Sequence, residues 1–253
     1  MPKLVSPDNV TKGTLNSLKG RKAYLVGIGG AGMSALAKML IDGGCVVYGS
    51  DVQLTPAIFA LEGMGANITL RQDGSWIGPD TALVIASAAV NNDNEELKVA
   101  CAKGFKVMKY SQALGMLMDL KRGVAVSGTH GKTTNKAMIT TIMKWAGLAP
   151  SFIIGGEVSE LGGSSGMGNG EYFVAEACEY DRSFLNLSPD IGVITNIEED
   201  HFDYYRDMDE LIGTFGEFAS KVSKDGLLIV GANDNNIRRA IENVSTRTET
   251  ISI

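Results

Sequence analysis

Two glycine-rich turns, each set between an apolar strand and a helical pattern, predict an α/β protein: a Rossmann-like parallel-sheet domain followed by a P-loop α/β domain. The first turn is Gly27-Ile28-Gly29-Gly30-Ala31-Gly32, after the apolar run Ala23–Val26. The second is Ser127-Gly128-Thr129-His130-Gly131-Lys132-Thr133-Thr134, after Val124–Val126. Strand and helix patterns alternate from Ala23 to Met108, which implies a doubly wound parallel sheet whose ligands gather at the C-terminal strand ends.

The first turn has the G-x-G-x-x-G spacing, and the helix after it runs through Met33, Leu36, Ala37 and Leu40 to Gly43-Gly44. Cys45–Tyr48 reads as the next strand, and Asp51 falls where a dinucleotide fold places its acidic residue. The spacing predicts a diphosphate on the helix N-terminus without saying which nucleotide carries it. A nicotinamide-dependent dehydrogenase is the default reading, and glycines serving only close helix–strand packing are the structural alternative. Strands are expected at Asn67–Leu70, Thr81–Ala86 and Phe105–Met108, with Asn94 capping a helix. Ser50, Asp51 and Ser87 lie at strand ends. The boundaries expected are a first domain over 1–110, a helix-like connector over 111–122 and a second domain from Gly123.

The second turn is a short P-loop variant, G-x-x-G-K-T-T. Gly128 and Gly131 allow backbone N–H groups to close around phosphate oxygens, and the helix start adds positive dipole. Lys132 is expected to reach the β/γ-phosphates and the Thr133 hydroxyl to ligate Mg²⁺. The following helix places Met138, Ile142 and Trp145 on one face, read as its apolar side. A strand over Glu171–Ala175 runs into Glu176, with Glu179 and Asp181 beyond it. Another over Ile191–Ile194 runs into Thr195-Asn196 and then Glu198-Glu199-Asp200-His201. A carboxylate at a strand end beside a P-loop suits a metal–phosphate complex. The only two histidines, His130 and His201, both fall in these stretches. The glycine-rich stretch 161–170 reads as a mobile loop.

Composition narrows the classes. The formal net charge of −6 comes without a Lys/Arg cluster, which argues against a nucleic-acid partner. The three cysteines are scattered and lack metal spacing, so they read as reduced thiols of a cytoplasmic protein. No run approaches eighteen apolar residues and the N-terminus has no signal core, so neither membrane insertion nor secretion is expected.

Taken together, Gly27–Ser34, Gly49-Ser50-Asp51, Ser127–Thr134, Glu176–Glu179, Ser183–Leu185, Thr195-Asn196 and Asp200-His201 resemble the Mur ligase family, in the family's order and over nearly the whole chain. The resemblance implies that the first domain binds a UDP-sugar instead of a nicotinamide dinucleotide, through Gly29, Gly30, Ala31, Gly32, Met33, Ser50, Asp51 and Ser87. It implies an ATP site of Gly128, Thr129, His130, Gly131, Lys132, Thr133, Thr134 and Asn196. Lys132, Glu176 and His201 would be catalytic, and Thr133, Glu176 and His201 would hold Mg²⁺ or Mn²⁺. The activity implied joins L-alanine to the lactyl carboxylate of UDP-N-acetylmuramate through an acyl phosphate formed from ATP. A related ligase that recycles muropeptides, and a silent module that binds UDP-sugar and ATP without turnover, are the alternatives. Asn135 and Cys178 depart from the family's usual threonine and aspartate. The family's third domain and part of its central ATPase domain have no counterpart here, so the resemblance implies a truncated chain with little turnover.

Overall fold

Five short parallel strands build the first sheet in the computed structural model, which describes residues 19–252. They are β1 (Lys22–Val26), β2 (Val46–Ser50), β3 (Asn67–Thr69), β4 (Thr81–Ala86) and β5 (Val107–Lys109), ordered β3-β2-β1-β4-β5. Chain order reverses between β1 and β4, so the loops after these two strands diverge and leave the crevice where α/β sheets take ligands. The helices between them are α1 (Ala31–Asp42), α2 (Pro56–Gly63) and α3 (Glu95–Ala102). Gly43 caps α1 and Gly44 adopts φ +85, so the glycine pair ends that helix as its sequence predicts. Asn94 caps α3, its side chain accepting from the N–H groups of Glu96 and Leu97.

The core of this unit is largely apolar, with Ser50, Thr81 and Glu96 among its buried polar residues. Glu96 lies fully buried and accepts hydrogen bonds from Tyr24 Oη at 2.6 Å and Ser50 Oγ at 2.5 Å. It ties β1 and β2 to α3.

The chain divides into two compact units between Met116 and Leu117, inside α4 (Tyr110–Met118), with only Ser164–Met167 grouped apart from their sequence neighbours. The second unit opens with β6 (Arg122–Ser127) and α5 (Lys132–Trp145), then β7 (Ser151–Val158), β8 (Gly163–Gly166), β9 (Tyr172–Glu176) and β10 (Ile191–Ile194). After these come α6 (Met208–Ala219), β11 (Leu227–Gly231), α7 (Asn235–Ala240) and β12 (Thr248–Ile251). The sheet order is β12-β11-β10-β6-β9-β7-β8. Phe184 stacks on Phe218 at 4.9 Å and meets Phe215 edge-on, fixing α6 to the segment after β9.

Two expectations from sequence need correction here. Met138, Ile142 and Trp145 do share a face of α5, but it faces solvent, with Trp145 85% exposed. The inward side carries Lys136, Ala137, Ile139, Thr140 and Met143, which pack toward β6, β7 and β9. The stretch 161–170 is not a free loop. It contains a strand, and Lys121 Nζ donates to the carbonyls of Gly168 at 2.7 Å and Gly170 at 2.5 Å. A Cβ on Gly170 would lie 1.8 Å from the Leu148 carbonyl, so the backbones touch directly there. Among the described residues, no helix is long and apolar enough to cross a membrane.

Burial raises the Glu96 carboxyl above its ordinary 4.5, against the opposing hydrogen bonds from Ser50 and Tyr24. The folded state therefore keeps this proton to higher pH than the unfolded chain does. The resulting stabilisation is complete below 4.5 and lost as pH rises through the raised value. Glu96→Gln, which cannot ionise, should gain stability relative to the parent as pH increases over that window. Urea denaturation of both proteins at several pH values measures the difference.

Candidate functional site

The three central strands of the second sheet decide what meets at its edge. Val126 is in register with Glu176 across β6–β9, and Ser127 with Ile194 across β6–β10. All three run parallel, so the 128–131 loop, Glu176 and Thr195-Asn196 leave the sheet side by side. The loop is stapled to the segment after β10. Thr129 N–H donates to the Asn196 carbonyl at 3.0 Å, and His130 N–H to Asn196 Oδ1 at 2.8 Å. Thr195 Oγ1 donates to the His130 carbonyl at 2.7 Å, and Glu198 N–H to Thr129 Oγ1 at 2.9 Å. Thr129, His130 and Asn196 thus shape the loop, and the amides of Thr129 and His130 are already engaged. Gly128 is indispensable to this arrangement: φ is +129, and a Cβ would lie 2.0 Å from Thr195 Oγ1.

What the loop leaves open is the start of α5. Its N-cap, Gly131 at φ +82, offers no side-chain hydrogen bond, and neither does Gly30 at the start of α1. The helices α2, α3, α6 and α7 are all capped by side chains, from Thr55, Asn94, Asp207 and Asp234. Both glycine turns thus open a helix without a side-chain cap. Backbone N–H groups without intrahelical partners, at the positive end of the dipole, form an anion site.

Lys132 curls back over the loop, donating to the Gly128 carbonyl at 2.6 Å and to Glu179 Oε1 and Oε2 at 2.8 and 3.0 Å. Glu179 is almost fully buried and lies near His201, whose Nε2 stands 3.7 Å from Glu179 Oε1 and 3.6 Å from Asp200 Oδ2. One ligand atom from each of Glu179, Asp200 and His201 falls within 4.8 Å of the others, a spacing that suits a divalent cation. His201 adopts φ +56, with the Tyr180 ring 5.0 Å away. Glu176 meets a different partner: Lys136 Nζ donates to its Oε2 from inside the fold. Burial pushes the Lys136 ammonium down, with Glu176 opposing, and pushes the Cys178 thiol up, so that cysteine stays protonated. Thr133 and Thr134 are exposed at the helix start.

In the first unit, Gly29 N–H donates to Asp51 Oδ2 at 2.7 Å, tying the end of β2 to the first glycine turn. Ser87, at the end of β4, lines a cavity of about 260 Å³ together with Val90, Asn91, Leu97 and Met108. Gly32 faces Tyr110, whose ring would lie 3.0 Å from a Cβ there. Ser50 and Met33 are buried, and the Ser50 hydroxyl donates to Glu96. Glu179, Asp200, Lys136 and Thr195 are the polar residues that sequence reasoning left out of the site. Lys132, Lys136 and Thr140 recur at helical spacing, a signal outweighed by the more apolar stripe opposite.

The profile described as the Mur ligase middle domain matches residues 126–253, and the one described as the Mur ligase family catalytic domain matches residues 22–122. UDP-N-acetylmuramate–L-alanine ligase of Clostridium tetani is 43% identical over 225 residues, which is 88% of this chain and 49% of that protein. The same-named protein of Pelotomaculum thermopropionicum is 42% identical over 223 residues, 88% of this chain and 48% of its own length. The chain spans about half the length of the curated relatives it matches. Among solved structures, the UDP-N-acetylmuramate–alanine ligase of Thermotoga maritima superposes with TM-score 0.80 at 28% identity, covering 92% of this chain and 53% of that one. The UDP-N-acetylmuramate:L-alanyl-γ-D-glutamyl-meso-diaminopimelate ligase of Neisseria meningitides gives 0.83 at 24% identity over 91% of this chain and 78% of its own, a likeness of fold.

Gly128→Ala should disrupt the staple between the loop and Thr195, because the new methyl meets Thr195 Oγ1 in a backbone conformation that L residues rarely adopt. A loss of about 1–3 kcal/mol, of the size stored in such strained positions, is expected in denaturant unfolding of the second unit.

Proposed function

The chain belongs to the Mur ligase family, and from that premise we propose that it supplies the UDP-sugar-binding and ATP-binding parts of a ligase that joins L-alanine to UDP-N-acetylmuramate. Residues 1–110 are assigned to the UDP-sugar, 111–122 to the connector and 123–253 to ATP. The observation that carries this reading is the pair of uncapped helix starts at the two glycine turns, one on each sheet, since a ligase of this class must hold two phosphorylated ligands at once. The identity to L-alanine ligases over 88% of the chain supports the choice of amino acid and sugar. A cytoplasmic location follows from the same reading, because these substrates are intracellular nucleotides.

The chemistry assigned to these residues is positioning and charge neutralisation. ATP transfers its γ-phosphoryl group to the lactyl carboxylate, giving an acyl phosphate, and the amine of L-alanine displaces phosphate from that carbonyl. The N-terminal amides of α5 receive phosphate oxygens, and Lys132 exchanges Glu179 for the β/γ-phosphates. No side-chain nucleophile is required, in keeping with a site built of amides, one half-buried lysine and carboxylates. Mg²⁺ or Mn²⁺, when bound, would neutralise phosphate charge. The buried and half-buried oxygens of Glu179 and Asp200, with His201, are a donor set that fits such an ion. In the first unit, the amides of Gly30, Ala31 and Gly32 receive the uridine diphosphate.

Titration calorimetry tests the assignment: UDP-N-acetylmuramate and Mg²⁺–ATP should each bind, and NAD should not. Lys132→Ala removes a charge-assisted contact, so ATP should weaken roughly 10- to 100-fold. UDP-sugar affinity should be unchanged, because the two sites stand on separate units. Binding of NAD with indifference to the UDP-sugar, or equal loss of both ligands in the variant, would refute the reading.

A further inference from the structure

Lys136 lies one helical turn beyond Lys132 on α5 and is 0% exposed. Lysine is almost never found at that depth unless paired, and its partner is Glu176 at the end of β9. Gly155 of β7 bounds the same carboxylate from another side, where a Cβ would come within 3.4 Å of Oε2. The two glutamates three residues apart therefore meet different cations. Glu179 faces Lys132, Asp200 and His201, whereas Glu176 is held by an ammonium that cannot leave without becoming a buried, unpaired charge.

We propose that Lys136 is a positioning residue that acts as the permanent cation of Glu176, so that Glu176 is not a metal ligand in this chain and the divalent ion that accompanies the nucleotide is held by Glu179, Asp200 and His201. The inference rests on the nucleotide site proposed above and changes its metal assignment. Mg²⁺ and Mn²⁺ keep several waters and need only one or two carboxylates beside the phosphates. The Glu179 group provides them with its ligand atoms within 4.8 Å and leaves the Lys136 pair intact. Lys136 thereby fixes the carboxylate next to the phosphate loop and supplies one positive charge that a second metal ion would otherwise bring.

The test is a Mn²⁺ titration followed by electron paramagnetic resonance of the free ion, with and without a non-hydrolysable ATP analogue. The parent should bind one Mn²⁺ per nucleotide. Glu176→Gln keeps an oxygen to accept from Lys136, and Mn²⁺ affinity should stay within about threefold, while Glu179→Gln should lose roughly 10-fold or more, as metal-site substitutions do. Lys136→Met should free Glu176 and raise the count to two. Two ions on the parent, a tenfold loss in Glu176→Gln, indifference to Glu179→Gln, or an unchanged count in a folded Lys136→Met would each overturn the proposal. Should Lys136→Met not fold, the parent count and the two glutamate variants decide alone. Metal binding that needs Glu179 but not Glu176, in a protein that ignores the nucleotide analogue, would refute the ATP site and uphold this assignment.

Discussion

Because Val126 is in register with Glu176 and Ser127 with Ile194, three parallel strands end side by side, and the polar chemistry of the second unit follows from where they stop. A slip of one residue in β9 would turn Glu176 to the opposite face of the sheet and bring Ala175 or Ala177 into its place. A slip in β10 would move Thr195 away from the His130 carbonyl and Asn196 away from its N–H. The register is enforced by buried apolar residues within the sheet, among them Val124, Val174 and Phe152. Their burial holds the strands, and the strands hold the loop.

Local signals made the architecture legible. The alternation of apolar runs with glycine turns predicts both sheets, the Gly43-Gly44 stop and the Asn94 cap, because each is decided within a few residues. The inward face of α5 is not decided locally. Its hydrophobic pattern favours Met138, Ile142 and Trp145, yet Lys136 goes inside because Glu176 waits at the end of another strand. The same holds for 161–170, whose glycines suggest freedom until Lys121 and the 148–149 backbone are brought against them. Ser50 was legible as a strand-end residue, but not as the partner of a buried carboxyl 46 residues away. Of the site, sequence identifies the loop and the acidic stretches; which carboxylate meets which cation depends on contacts between strands.

The two glycine turns use one device with different neighbours. Each leaves a helix start uncapped, and each is braced by a polar side chain from an adjacent strand end: Asp51 on the Gly29 N–H, Asn196 on the His130 N–H. The braces consume amides that sequence alone would offer to phosphate. They also pre-set the loop, so that a ligand meets N–H groups already oriented and loses less conformational entropy on binding. The difference in brace has a consequence. A carboxylate beside the first turn places negative charge where a diphosphate would come, so the Asp51 side chain must serve a hydroxyl or stay on its amide; a neutral amide beside the second turn imposes no such repulsion on a triphosphate.

The second site also holds more charge than its stability requires. A buried ion pair contributes little net stability, since desolvation offsets most of the attraction, and apolar residues of similar volume often serve as well. Lys136 with Glu176 comes close to such a pair, the lysine side chain being 0% exposed and the carboxylate 28%. What an apolar pair could not do is hold a carboxylate in one orientation beside the phosphate loop while neutralising it. Lys132 with Glu179 is the opposite case. That lysine is half-buried, shares its partner with His201 and Asp200, and can exchange it for an incoming anion without leaving Glu179 isolated. One pair is fixed by depth and the other is exchangeable by position. The contrast lets four charged residues on one helix and one strand end divide into a permanent support and a ligand-responsive contact.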